Sequence, residues 1–162
     1  MRPHFKFTAS AILSLVLLSG SAVAQTAPGP LGVWLSQDGK DITEIFPCGD
    51  MLCGRLVQGQ GLRADDRDTK NPNPSLRSAP LCNQIYMGEF KRESVARWVN
   101  GWVYDSRDGG SYTNASLELR GEILQLTVRV GLMRYTERMA RVDPTKVVRC
   151  GTVDNPVLPL VR

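Results

Sequence analysis

Four consecutive segments of alternating apolar and polar residues most strongly constrain the fold of this chain. They cover residues 98–105, 111–119, 122–130 and 133–142, and short glycine-containing turns at 106–110, 120–121 and 131–132 join them. Alternation with a period of two residues is typical of half-buried strands, and tight turns pair such strands antiparallel. The segments therefore predict a β-meander.

The alternation also assigns the two faces of the meander. If Leu119 pairs with Glu122, the aliphatic side chains gather on one face, which would form the core. That face carries Ala115, Leu117, Leu124, Leu126, Val128 and Val130 beside Val99 and Val103. The opposite face carries Asn114, Ser116, Glu118, Gln125, Thr127 and Arg129.

Further strands are indicated on the N-terminal side of the meander. Residues 31–36, 41–47 and 52–58 have strand-like composition, and strands resume at Ile85 after a long break. About eight strands without a convincing helix predict an all-β domain over residues 31–142. Such a domain is either a closed antiparallel barrel or a β-sandwich.

The four cysteines predict two disulfides, because an even number of cysteines in an exported chain is usually paired. Three pairings are open. We favour Cys48–Cys53, since the glycine-containing turn between them would place them opposite each other across a hairpin; Cys82–Cys150 then follows by elimination. The C-x4-C spacing differs from that of zinc ribbons and thioredoxin-like sites, so we predict no metal site and no cofactor.

Residues 1–24 are typical of a secretory signal peptide. They combine a basic start at Arg2 and Lys6, a short apolar stretch and an Ala-Val-Ala cleavage pattern. The apolar stretch is shorter than the roughly 20 residues that a membrane anchor needs, which favours a cleaved leader over an anchor. Cleavage would leave a flexible lead-in at 25–30 and no membrane span, and it predicts a periplasmic or secreted protein.

Histidine is absent from the predicted mature chain, because the only histidine, His4, lies in the leader. This excludes histidine-based hydrolase triads and histidine zinc sites, and no other catalytic constellation stands out, so we do not expect an enzyme. Cleavage would also remove two of the 20 basic residues, and 18 − 16 leaves a net charge of +2. A small charge without a basic cluster does not predict nucleic-acid binding.

Two segments outside the strands are expected to shape the domain. Residues 59–80 contain prolines, glycines and acidic residues without an apolar period, and we expect a long loop there. Its acidic run at 65–68 and Asn71 offer oxygen ligands for weak calcium binding, although a solvated loop is favoured. Residues 143–162 form a tail that we expect to cap an open end or edge of the barrel, in preference to binding a partner.

An aromatic stripe supplies three candidate ligand-binding residues. Trp98 and Trp102 alternate on one face of their strand, and the pairing places Tyr112 beside them. The stripe either stacks a flat ligand or packs beneath the long loop, and we favour packing.

The last segment of the meander supplies three more candidates. Glu137 and Arg141 are four residues apart and would point inward together with Tyr135. A buried charge pair is costly unless it is hydrogen-bonded. We favour a structural ion pair between Glu137 and Arg141 over a site for the polar group of a ligand.

A set of short motifs spread over residues 31–142 carries a family resemblance. The motifs are Gly32-x-Trp34, Pro47-Cys48-Gly49-Asp50 followed by Cys53-Gly54, Asn71-Pro72-Asn73-Pro74-x-Leu76-Arg77, Gly101-x-x-Tyr104-Asp105, Asp108-Gly109-x-x-Tyr112 and Arg141. In this order they resemble the bacterial domain-of-unknown-function family 2147. The resemblance implies a small exported barrel similar to the lipocalins, in which Trp34 packs against Arg141, and it implies no activity.

Together these features predict an exported barrel that binds a small apolar or amphipathic ligand in its aliphatic interior. The alternative is a cell-envelope module that binds a protein through residues 59–80 and the aromatic stripe. A barrel filled by its own side chains would exclude the first function. Exposure of Trp98 and Trp102 would favour the second.

Overall fold

The computed structural model describes residues 29–151. The predicted signal peptide at 1–24, most of the lead-in and the end of the tail lie outside the described residues. Two short 3-10 turns, Pro74–Leu76 and Pro144–Lys146, accompany eight strands. The strands are β1 Gly32–Leu35, β2 Asp41–Cys48, β3 Met51–Gly59, β4 Ile85–Arg92, β5 Arg97–Asp105, β6 Gly110–Arg120, β7 Ile123–Val130 and β8 Met133–Val142.

The strands form a closed barrel. Each strand pairs antiparallel with the next, and β1 also pairs with β8, so the prediction of an all-β meander is confirmed and the barrel is chosen over the sandwich. In the β6–β7 hairpin, Leu119 pairs with Leu124 rather than with Glu122. The partner of Leu119 differs from the expected one by two residues, which is one full period of the alternation. The aliphatic side chains of the hairpin therefore stay on one face.

The two ends of the barrel differ, and we name them by their packing. The closed end carries the β2–β3, β4–β5 and β6–β7 turns, whereas the open end carries the β1–β2, β5–β6 and β7–β8 turns and the long β3–β4 loop. The main core fills the interior toward the closed end, so that half of the barrel is solid. It consists of Trp34, Ile45, Leu52, Met87, Phe90, Trp98, Ala115, Leu117, Leu124, Leu126 and Met139.

A bulge in β5 allows the strand to pack closely on this core. Asn100 has a φ of 60°, and the register with β6 shifts between Trp98 and Gly101. Asparagine tolerates this left-handed conformation better than most residues. A Cβ atom at Gly101 would clash with the ring of Phe90, so the close approach of β5 to the core requires glycine.

The described part of the tail lies on the outer wall of the barrel. Val147 packs there, and the N–H of Cys150 donates a hydrogen bond of 2.8 Å to a β3 carbonyl. The guanidinium of Arg149 donates two hydrogen bonds of 2.8 Å to the carboxylate of Glu44. The cluster beneath Val147 consists of Val33, Ile42 and Val57. Through residue 151 the tail therefore covers the side of β1–β3, whereas we expected it to cap an open end or edge.

Both predicted disulfides are present. Cys48–Cys53 closes the β2–β3 hairpin with a sequence separation of 5, and Cys82–Cys150 joins the end of the long loop to the tail with a separation of 68. The second bridge fixes the tail against the wall. Within residues 29–151, no helix has the length and apolar character needed to cross a membrane.

Candidate functional site

The open half of the barrel holds a cavity of about 750 Å³ between the main core and the open end. Pockets for small organic ligands commonly have volumes of about 300–1,000 Å³. The cavity reaches the surface at its rim, where Tyr135 is 53% exposed. Its apolar and aromatic wall consists of Leu56, Leu62, Leu81, Tyr86, Val103, Tyr104, Tyr112, Leu126, Val128, Val130 and Tyr135.

A hydrogen-bonded pair of hydroxyl groups lies on the cavity wall. The hydroxyl oxygens of Thr43 and Tyr86 are 2.6 Å apart. Burial raises the pKa of Tyr86, and the hydrogen bond with Thr43 offsets only part of this effect. The phenol therefore stays protonated at physiological pH and offers a neutral polar group to a bound molecule.

Two carboxylates face the cavity without a protein partner. Neither Asp41 nor Glu137 accepts a hydrogen bond or forms a salt bridge within residues 29–151. Burial raises the pKa of both carboxyl groups, and the negative charge of Asp38 adds to the effect. Both residues are nevertheless exposed at the mouth of the cavity, so a bound molecule can reach their carboxylates with hydrogen-bond donors or positive charge.

An arginine reaches the rim of the cavity from the β5–β6 turn. Nε and Nη2 of Arg107 donate hydrogen bonds of 2.9 and 2.8 Å to the two oxygens of Asp105. These bonds lower the pKa of Asp105 and raise the pKa of Arg107. The fork geometry holds the guanidinium in place beside the two unpaired carboxylates. The rim is therefore polar and contains both signs of charge.

A buried carboxylate anchors the long loop next to the cavity. Asp68 is 1% exposed and accepts hydrogen bonds of 2.7 Å each from Tyr104, Asn71 and Gln84. The expectation of a solvated loop is wrong at this residue, whose oxygens accept hydrogen bonds from three neutral donors. Within residues 29–151, no group of three or more acidic, cysteine or histidine residues is placed to hold a metal.

The six candidate ligand-binding residues fall into different parts of the barrel. Tyr112, Tyr135 and Glu137 line the cavity. Trp98 belongs to the main core, and Trp102 belongs to a buried cluster on the outer wall. Three of the six candidates therefore line the cavity, and both tryptophans are packed away from it.

Two bulges explain why the predicted aromatic stripe is not formed. Asn100 and Asn114 have φ values of 60° and 58°, and each restarts the alternation of its strand. As a result, Trp98 faces the interior, Trp102 faces outward and Tyr112 turns into the cavity. Trp98 is 6% exposed and Trp102 is 8% exposed, so neither offers a stacking surface to a protein partner.

Arg141 lies at the closed end, away from the cavity. Its guanidinium stands 4.1 Å from the centre of the Trp34 ring and donates to two backbone carbonyls before β1. Its salt-bridge partner is Glu122, with Nε and the carboxylate 3.0 Å apart. The prediction of an ion pair between Glu137 and Arg141 is therefore wrong, because the two side chains lie at opposite ends of the barrel.

Sequence reasoning missed four polar residues of the cavity. Asp41, Thr43 and Tyr86 belong to strands outside the meander, and Arg107 belongs to a turn that was interpreted only as a hairpin connection. The strand order alone would have placed two of these residues, Asp41 and Arg107, at the open end. In an up-and-down barrel, alternate turns share an end, so Asp41 and Arg107, both beside open-end turns, are expected at the same end of the barrel.

The closed eight-stranded meander with a cavity at one end defines a lipocalin-like barrel. The chain belongs to the family described as "Uncharacterized protein conserved in bacteria (DUF2147)", whose sequence profile matches residues 32–140. A similar solved structure is protein HP1028 from Helicobacter pylori, described as a member of the lipocalin family. The TM-score is 0.64 at 19% identity, over 75% of this chain and 86% of that chain. No curated protein matches the chain.

Proposed function

We propose that this protein binds a small amphipathic ligand inside the open half of the barrel. The observation that carries the proposal is the cavity of about 750 Å³, with apolar walls and a few converging polar groups. This combination is characteristic of small-molecule sites, in which apolar surface supplies affinity and polar groups fix orientation. The lipocalin-like fold is compatible with such a role.

The distribution of the lining residues suggests an orientation for the ligand. Leu126 belongs both to the cavity wall and to the main core, so the apolar part of the ligand would lie toward the core. The polar part would lie at the rim beside Asp41, Glu137 and Arg107. Since the two carboxylates have no partner within residues 29–151, a head group that donates hydrogen bonds, such as an amine, suits this rim best.

Export of the protein is part of this proposal. The signal-like segment at 1–24 supports it, and so do the two disulfides, which persist in oxidising compartments. A periplasmic or secreted barrel would meet amphipathic molecules of the cell envelope. Sequencing the N-terminus of the protein isolated from cells tests this point, because cleavage after residue 24 is expected and an intact Met1 would contradict it.

Mass spectrometry tests the ligand directly. The protein is isolated under non-denaturing conditions from the bacterium that produces it, and its native and denatured masses are compared. We expect a reproducible extra mass that is released on unfolding, while the chain itself is four hydrogens lighter than its reduced form. A bare chain in both measurements, also after incubation with envelope lipid extract, would contradict ligand binding.

A further inference from the structure

The β7–β8 hairpin presents an exposed apolar tip at the open end of the barrel. Leu132 is fully exposed and Met133 is 59% exposed, and Val130 beside them is also partly open to solvent. Single apolar residues on a surface are common, but adjacent ones at the tip of a projecting hairpin form a patch. This patch lies on the rim of the cavity, because Val130 also belongs to the cavity wall.

Immediately behind this tip, the outer face of the hairpin is basic. Arg129 lies directly opposite Arg134 in the β7–β8 pairing, and Arg138 follows on the same face of β8. None of the three arginines has a salt bridge or side-chain hydrogen bond within residues 29–151. Like charges directly opposite each other destabilise a sheet, so this arrangement favours an anionic counterpart outside the chain.

The acidic residues near this face are already paired. Glu118 on β6 binds Arg120, and Glu93 at the β4–β5 turn binds Arg97. A groove of about 480 Å³ lies beside the arginine pair, and its lining includes Asn100 and Asn114 together with these two arginine-paired glutamates. The groove therefore offers amide donors next to positive charge, which suits phosphate oxygens.

We propose that the β7–β8 hairpin docks the barrel onto an anionic lipid surface. Arg129 lies about two residues behind the tip, or roughly 7 Å along the strand. Interfacial segments bury their apolar face by about 5–10 Å, so the arginines would reach the lipid phosphates when Leu132 and Met133 enter the acyl boundary. The proposal does not depend on the occupant of the cavity.

A lipid surface fits these observations better than a second copy of the chain. In a symmetric dimer the same patch lies on both sides of the interface, so Arg129 and Arg134 of one copy would face their equivalents. An anionic membrane supplies an apolar layer and phosphates at the spacing that the hairpin presents. Docking in this way would also turn the rim of the cavity toward the membrane, so that an amphipathic molecule could pass between the two.

Vesicle sedimentation tests the docking. The protein as it accumulates in cells is mixed with vesicles of equal parts phosphatidylglycerol and phosphatidylcholine, or with vesicles of phosphatidylcholine alone. We expect binding to the anionic vesicles that weakens with added salt. Leu132→Ser should weaken binding by about tenfold, and each of Arg129→Gln and Arg134→Gln by about fivefold.

Two matched substitutions at the closed end serve as controls. Val95→Ser removes an apolar side chain that is 83% exposed, and Lys91→Gln removes an exposed cation. Both should bind anionic vesicles as the unmodified protein does. Equal losses in the control and hairpin variants, equal binding to both vesicle types, or a concentration-dependent dimer that Leu132→Ser abolishes would overturn the proposal. The hairpin variants should still carry the extra mass that is released on unfolding. Loss of vesicle binding without loss of this mass would show that docking and ligand binding are separate properties.

Discussion

The hydroxyl group of Tyr104 donates a hydrogen bond of 2.7 Å to Oδ1 of Asp68, which joins the middle of the long loop to strand β5. The other oxygen of Asp68 accepts from Asn71 and Gln84. This buried carboxylate therefore ties two parts of the loop to the barrel wall. Leu62 and Leu81 of the same loop line the cavity.

Removal of the Tyr104 hydroxyl should loosen the loop. Tyr104→Phe leaves one oxygen of a buried carboxylate without its donor, which costs about 1–3 kcal/mol of unfolding free energy. Urea denaturation measures this loss, and hydrogen exchange should show faster exchange at residues 60–84. Tyr112→Phe is the control, because the Tyr112 hydroxyl has no hydrogen-bond partner within residues 29–151. An equal effect in both variants would mean that Asp68 does not hold the loop.

The strand order could be predicted from the sequence because its information is local, whereas the choice of a barrel over a sandwich rested on the family resemblance. Alternation of apolar residues and short turns determine antiparallel neighbours, and the first and last strands of such a meander can pair only by closing it. The bulges at Asn100 and Asn114 escaped this reasoning. Each is a single residue inside a regular pattern, yet each reverses the facing of the residues that follow.

The cavity and the anchored loop could be predicted only in part. Whether a barrel is hollow depends on how far its core extends from the closed end. That extent depends on the side-chain volumes contributed by all eight strands. The donors that make the burial of Asp68 possible come from residues 3, 16 and 36 positions away in the sequence. No local pattern encodes that meeting. Tyr135 and Glu137 were found because they sit in the most regular strand.

The two disulfides should contribute unequally to stability. In the chain-entropy model, a loop of 68 residues yields about 4 kcal/mol and a loop of 5 residues about 2 kcal/mol. Replacing Cys82 and Cys150 by serine should therefore cost more than replacing Cys48 and Cys53. Thermal unfolding of the two double variants measures the difference. The reverse order would contradict the dependence on loop length that this prediction assumes.

Acid should weaken the attachment of the tail at Glu44. Hydrogen bonds from Arg149 and then Arg55 hold the pKa of Glu44 below its ordinary value of 4.5. A lowered carboxyl pKa stabilises the folded protein above the ordinary value, and the contribution is lost as pH falls through the lowered one. Glu44→Gln should therefore lose about 1 kcal/mol at neutral pH, and the difference should shrink below pH 4.5.

Denaturation of both proteins between neutral and acid pH checks this sign. Glu93→Gln is the comparison, because Glu93 forms an exposed pair with Arg97 and exposed pairs contribute little. A Glu44→Gln difference that grows toward acid pH would show that the carboxylate is not stabilised by its arginines.

Glu137 should favour binding at the expense of stability. Burial raises its pKa, so the folded protein is destabilised as pH rises through the ordinary value of 4.5 toward the raised one. Glu137→Gln should therefore keep or increase the melting temperature at neutral pH, and it should weaken binding of a long-chain alkyl amine. The outward-facing Glu118→Gln should leave amine binding unchanged. Calorimetric titration measures the amine affinity of each variant. An unchanged affinity in Glu137→Gln would show that this carboxylate does not contact the ligand.

If the open half of the barrel binds an amphipathic molecule, filling the cavity should abolish that binding. Titration with an environment-sensitive fluorescent amphiphile tests it most directly, using Val128→Phe to fill the cavity and Gln125→Phe to add the same ring on the outer face of β7. All three proteins must first show cooperative unfolding. We expect saturable binding of one probe per chain in the unmodified protein and in Gln125→Phe, and a loss of at least about tenfold in Val128→Phe. Equal binding by all three proteins would contradict it.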